Sequence, residues 1–352
     1  MGYTPVAGGE QTAKRRSSPM VHLVLFLATF AMTAMAGTEW QYKNALEVMN
    51  WVHGLTYATL IMLFLSAHEF GHYIAARIHG VDASLPYFIP VPPVGPFLPF
   101  GTMGALIRIR TPIPNRRALF DIGVAGPIAG FVVCLAVLIY GFMTLPTIDY
   151  LYTIHPEYVA TGIPSSGMHF GDTLLFSFLR NVFANSSGFI PPMNEVYHYP
   201  FLCVGWFGLF VTSLNMLPFG QLDGGHVLYS LIGQRQHVVA RLLWWLLFTY
   251  GILGLVTEVL AVLAEPSPEP YMVWMQTYIE PVFSVVIRAI PFDVSAGSNW
   301  LLWAFLIRFL IRIPHPPIAD PEPLSLGRKV IGWTSIIILV SSFTPTIITF
   351  VP

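Results

Sequence analysis

The sequence predicts an all-α polytopic membrane protein of about seven transmembrane helices, and three observations carry that expectation. Apolar residues make up 55% of the 352 residues and charged residues only 10%, where soluble domains carry about 25% charged residues. Mean hydropathy is +0.64. Apolar runs of bilayer-crossing length recur from end to end. So few charges could not coat a soluble globule of this size. High hydrophobicity with a net charge of -1 excludes intrinsic disorder, and the same balance offers no field for nucleic acid. Cys134 and Cys203 both lie in apolar stretches, which argues against a disulfide framework or a cysteine zinc finger.

Residues 1–19 are polar, carry Lys14, Arg15 and Arg16, and read as a cytoplasmic tail. The rest, 20–352, reads as one integral membrane domain. Its first run, 20–37, resembles a signal peptide, but Ala34-Met35-Ala36 is a weak cleavage-like site, so a retained anchor is expected. The further runs are 51–78, 118–143, 200–219, 238–263, 298–313 and 330–351. An eighth apolar stretch, 271–290, is interrupted by Glu280-Pro281. Lys and Arg collect in cytoplasmic loops. With the N-terminus inside and 271–290 uncrossed, only Lys43, Arg180 and Arg288 of the 17 basic residues fall outside. The stretch 271–290 is therefore expected to be interfacial or re-entrant. The short basic N-terminus, without a long Ser/Arg-rich transit region, points to a bacterial inner membrane.

Inside the second run lies Ser66-Ala67-His68-Glu69-Phe70-Gly71-His72. An ionisable side chain within a span costs roughly 2.5–3.5 kcal/mol on insertion scales and calls for a functional reason. His68 and His72 are four apart, so both imidazoles share one helix face and can chelate a single zinc ion. Glu69, beside the first ligand, can act on water at the metal without binding it. With 11 His and 11 Glu in the chain, the five-residue His-Glu-x-x-His pattern arises by chance only about 0.01 times.

Zinc sites that do chemistry take three protein ligands and keep one position open. The fourth run delivers the next candidate, through Asn215-Met216-Leu217-Pro218-Phe219-Gly220-Gln221-Leu222-Asp223-Gly224-Gly225-His226. Both this run and the second cross from outside to inside. His68, His72 and Asp223 are thus expected at the same cytoplasmic-side depth, with Asp223 as third ligand. Pro218 ends or kinks the helix, and Gly220, Gly224 and Gly225 let the chain turn back to aim Asp223 at the metal. Asn215 is placed to donate to a developing oxyanion or to hold substrate backbone, or else to make an interhelical contact. His226 reads as a hydrogen-bonding neighbour of the ligands or a spare ligand.

Residues 85–100 hold six prolines and cannot be helical, yet are strongly apolar. Ala105-Leu106-Ile107-Arg108-Ile109-Arg110 then partly alternates, as an edge strand does. A short membrane-associated β-hairpin is expected, able to receive an unwound helical partner by strand addition. Gly126 and Gly130 form a small-x-x-x-small pair for tight helix packing.

At these residues the sequence resembles the site-2 protease family of intramembrane zinc metalloproteases, peptidase family M50. His68-Glu69-x-x-His72 matches its first signature, and Asn215-x-x-Pro218-x-x-x-x-Asp223-Gly224 its second. Phe120-Asp121-Ile122-Gly123-Val124-Ala125-Gly126-Pro127 is similar to its glycine-rich segment, and 101–130 as a whole to the photosynthetic-organism branch and its bacterial relatives. The resemblance spans about 51–235 and implies a three-helix catalytic core. It also implies His68, His72 and Asp223 as Zn2+ ligands, Glu69 as acid/base, and transmembrane protein substrates cut within the bilayer. Many members carry a PDZ or CBS module, and the loop 144–199 is too short for one. A metal-ion transporter and an inactive membrane scaffold stay open as alternatives. A transporter, though, has no use for a non-ligating Glu beside the first histidine.

Overall fold

The computed structural model describes residues 18–93, 100–317 and 322–351. Lys14–Arg16 of the basic tail and residues 94–99 of the proline-rich segment, including Pro96 and Pro99, lie outside the described residues. Four helical segments are long and apolar enough to cross a membrane: Pro19–Glu39, Val48–Ile78, Arg116–Met143 and Asp223–Ala264. This is an integral membrane architecture.

Helix α1 (Pro19–Glu39) starts at Ser18, whose hydroxyl accepts from the Met20 N–H, with Pro19 at its first position, where a missing N–H costs nothing. A 3-10 turn, Val48–Gly54, leads into α2 (Leu55–Ile78). Strands β1 (Tyr87–Pro90) and β2 (Thr102–Leu106) pair antiparallel, Tyr87 opposite Leu106 and Phe88 opposite Ala105. Helix α3 (Arg116–Met143) is capped by the Asn115 side chain, which accepts from the Ala118 N–H. The loop that follows carries α4 (Asp149–Ile154), α5 (Tyr158–Thr161), β3 (Gly167–Phe170) and α6 (Leu174–Phe183). Then come α7 (Pro200–Asn215), α8 (Asp223–Ile232) and α9 (Gln236–Ala264).

The apolar stretch 271–290 forms two short helices, α10 (Pro270–Tyr278) and α11 (Glu280–Arg288), broken where Glu280-Pro281 interrupts it. Each is nine residues long, well under the roughly 20 needed to cross a bilayer. Helix α12 (Ser298–Leu306) runs on into a π-helical turn, Ile307–Ile311. Helix α13 (Leu326–Ser342) stops early, and the last apolar run is not helical throughout. Beyond Pro345, Ile348–Val351 becomes strand β4 and pairs antiparallel with β3. Proline breaks the helix, and the β-branched Ile347, Ile348 and Thr349 suit a strand. The expected helical fold with one short hairpin is corrected to this extent: besides the pair β1–β2, a second two-stranded sheet, β3–β4, accompanies the helices.

The centre of the bundle is α2, α3 and α7, brought close by small residues. A Cβ at Gly71 would stand 2.6 Å from the Ala125 carbonyl of α3, and one at Gly208 would stand 2.9 Å from the Cys134 sulfur. Cys134 donates its S–H to the Gly205 carbonyl of α7, 3.0 Å away. Phe64, Phe142, Leu202 and Trp206 fill the space between the helices and are fully buried. Backbones this close leave interhelical geometry little freedom. The side chains that face inward from α2 are correspondingly fixed.

Candidate active site

His68, Glu69 and His72 lie in the last three turns of α2 and are buried. The two imidazoles face each other, Nε2 to Nε2, at 3.2 Å. Helix α7 ends at Asn215, and the chain reverses through Met216–Leu222, so that Asp223 opens α8. That reversal requires glycine at two points. Gly220 has φ +45°, and a Cβ at Gly224 would collide with the Met216 carbonyl. The Asp223 carboxylate Oδ2 then sits 3.4 Å from His68 Nε2 and 3.3 Å from His72 Nε2. All three sequence-expected ligand positions converge.

The triangle fits one zinc ion. Ligand atoms held 2.0–2.1 Å from a tetrahedral centre are about 3.3 Å apart, and the three observed edges are 3.2, 3.4 and 3.3 Å. The tautomer fits as well. His72 Nδ1–H donates to the Ile122 carbonyl at 2.7 Å, which leaves the Nε2 lone pair pointing into the triangle. Glu69 is outside the triangle but lines the same cavity, of about 730 Å³, together with Asn215, Ile107 and His226. The Ile107 backbone N–H lies within reach of its carboxylate. Asn215 Nδ2 is 3.3 Å from His68 Nε2, so its amide edges the place where ligands converge.

His226 is not a member of the triangle, whose ligand atoms are those of His68, His72 and Asp223. Its Nδ1 meets His315 Nε2 at 2.7 Å, and His315 Nδ1–H is committed to the Pro316 carbonyl at 2.5 Å. His226 Nδ1 must therefore be the donor, and His315 supports it from the segment after α12. Tyr229 stacks on the His315 ring at 4.3 Å.

Several contributors were invisible in the linear pattern. Gly126 was expected to serve helix packing, but it faces the His72 ring: a Cβ there would lie 2.5 Å from Cε1 and closer still to Nε2. Gly130 faces His68 and Phe64. The Ile122 carbonyl is a main-chain group that no residue type announces, although the glycine-rich stretch around it was a signal. Asp121 accepts from Arg328 Nε and Nη2, at 2.8 and 2.7 Å, and meets His79 Nε2 at 2.8 Å. It thereby ties α13 and the end of α2 to the helix behind the site. Nothing in the sequence joins residues 121 and 328.

A buried pair of histidines with a carboxylate, an acid beside them and membrane-length helices around them is the side-chain arrangement of a membrane-embedded zinc hydrolase. The chain belongs to peptidase family M50, whose family model matches residues 56–244. Among curated proteins it is 27% identical over 265 residues to "Probable zinc metalloprotease EGY1, chloroplastic" of Oryza sativa subsp. japonica, covering 74% of this chain and 40% of that protein. It is 26% identical over 278 residues to "Probable zinc metalloprotease EGY2, chloroplastic" of Oryza sativa subsp. indica, covering 77% and 45%. To the EGY1 protein of Arabidopsis thaliana it is 31% identical over 201 residues, covering 57% and 33%. The chain thus spans less than half the length of these relatives. No solved structure matches it.

Proposed function

We propose that the chain is an intramembrane zinc metalloprotease that hydrolyses peptide bonds of transmembrane protein substrates. The observation that carries this is the His68–His72–Asp223 triangle with Glu69 beside it, set among helices of membrane length. In this reading His68, His72 and Asp223 hold the ion. Bound zinc lowers the pKa of water towards neutrality and polarises a scissile carbonyl. Glu69 accepts the proton of the attacking water and passes it to the leaving amine. The Asn215 amide donates to the carbonyl oxygen as it gains charge.

A transmembrane substrate helix has all its backbone groups paired and must unwind where protein receives them. The strand leaving β2 offers such a place. The Ser84 N–H donates to the Arg108 carbonyl at 3.0 Å and the Arg110 N–H to the Asp82 carbonyl at 2.8 Å. In an antiparallel ladder neighbouring residues alternate, so Ile107 and Ile109 turn their backbone groups to the opposite edge. Residues 105–109 line the same cavity as the metal triangle. We place the substrate strand on that edge, in a membrane-associated hairpin.

The basic-residue distribution supports seven crossings, with α7, the continuous helical segment Ser295–Ile311 that contains α12, and α13 added to the four long segments, and the metal end of the bundle on the cytoplasmic side. Glu69→Gln tests the function. Reconstituted with a tagged single-span reporter protein, this variant should keep its zinc and lose cleavage by at least about 10²-fold. Loss of zinc in Glu69→Gln, or cleavage at the unsubstituted rate, would defeat the assignment.

A further inference from the structure

At the opposite end of the bundle, three more side chains converge. His155 follows α4, Glu195 and His198 sit in the turn before α7, and all three are buried. One ligand atom from each lies within 4.8 Å of the others. The imidazoles meet Nε2 to Nε2 at 3.0 Å, and Glu195 Oε2 is 3.4 Å from His198 Nε2.

The hydrogen bonds around the cluster fix which atoms carry protons. His198 Nδ1–H donates to the Trp40 carbonyl at 2.5 Å, and His155 Nδ1–H donates to Glu157 Oε1 at 2.8 Å. A neutral imidazole has a single N–H, so both Nε2 atoms present lone pairs to each other. Glu195 Oε1 accepts from Tyr158 Oη at 3.2 Å and Asn194 Nδ2 at 3.4 Å, while buried Oε2 has no hydrogen-bond partner. Burial, and then the charge of Glu195, push the Tyr158 phenol well above its ordinary range, so it remains a donor to Oε1. Among the described residues no lysine or arginine pairs with Glu195. With both rings neutral, three acceptors face one point, where a buried carboxylate needs a positive partner.

We propose that His155, His198 and Glu195 form a second metal site, for a zinc-class divalent cation, distinct from the His68–His72–Asp223 triangle. The donor set is two imidazole nitrogens and one carboxylate oxygen, and edges of 3.0 and 3.4 Å suit a tetrahedral ion. Tyr42, in the left-handed region with φ 54°, sets its ring edge-on to His155 at 4.4 Å and tilted to His198 at 5.5 Å. That is an uncommon conformation for a non-glycine residue. A cavity of about 500 Å³, lined by Tyr42, Tyr158, Asn194 and Glu195, gives an ion its way in. The ion would clip the end of α1, through the Trp40 carbonyl, to the 144–199 loop and the start of α7. Its role is to hold this end of the bundle together.

The test is zinc counting by mass spectrometry on the full-length protein, stripped with chelator, reloaded with ZnCl2 and desalted. The unsubstituted chain should carry two zinc ions. His72→Asn and Glu195→Gln should each carry one, and the double variant none. Glu195→Gln is nearly isosteric and keeps the partners of Oε1, so its folding is the least disturbed. X-ray absorption of His72→Asn should report two imidazoles on the remaining ion. One zinc in the unsubstituted chain and none in His72→Asn would overturn the proposal, leaving a proton shared between His155 and His198. Because the second ion is counted where the first site is disabled, that outcome leaves the peptidase reading untouched.

Discussion

Substitution of Gly126 by alanine separates two explanations of the same glycine. If Gly126 serves helix packing alone, alanine should cost stability at most and leave zinc affinity unchanged. The structure gives another expectation. The new methyl would stand 2.5 Å from His72 Cε1, where ordinary contact is about 3.5 Å or more. The ring must move by about 1 Å, yet its Nδ1–H is held by the Ile122 carbonyl. Metal–ligand distances tolerate only about 0.2 Å, and losing a partner that merely orients a ligand already costs about 10–100-fold in affinity. Gly126→Ala should therefore lower zinc affinity by at least about 100-fold, read by competition with a fluorescent chelator. Reporter cleavage should fall at least as far. Gly130→Ala is the internal control. Its methyl meets His68 and Phe64 at 3.2–3.3 Å, which small shifts relieve, so the loss should stay below about tenfold. Equal effects at the two positions, or unchanged zinc affinity in Gly126→Ala, would refute the reasoning.

Other perturbations address the surroundings. Asp121→Asn removes the charged acceptor of Arg328 and His79. With these groups part-exposed, thermal unfolding in detergent should register a loss of about 1 kcal/mol. His226→Ala should keep its active-site zinc and change affinity by less than about tenfold, because His226 bonds His315 and not a ligand. Loss of that ion from the variant would make His226 a ligand after all. Ile109→Pro, on the outward edge of the strand leaving β2, should impair reporter cleavage several-fold while isotope-labelled zinc stays bound. Trp206→Phe strands the Gly171 carbonyl, which now receives the indole N–H at 2.6 Å. The protein should lose about 1–3 kcal/mol in a denaturant titration.

Composition was enough to read membrane character, and helical spacing was enough to put His68 and His72 on one face. Asp223 was legible because matched depth and the turn-forming Pro218 and Gly220 mark where the chain reverses after α7. What escaped was written in contacts of no fixed spacing. Gly126 and Gly130 read as a packing pair because four-residue spacing is the same whether the partner is a backbone or an imidazole. The last apolar run looked like one span since hydropathy does not distinguish α13 from β4, and only Pro345 and the β-branched residues marked the change. His155 and Glu195 lie 40 positions apart, in a loop whose composition suggested nothing more than irregular chain. His315 was equally silent, a lone histidine just after Arg308 and Arg312.

The carboxylate of the metal triangle arrives 151 positions after the second imidazole, His72 to Asp223. A nascent chain threading into the bilayer therefore carries two of the three side chains of the triangle until α8 has followed α7 into place. On the proposed function, competence to bind the ion is deferred to a late stage of biogenesis, and a polypeptide ending before residue 223 lacks the third ligand.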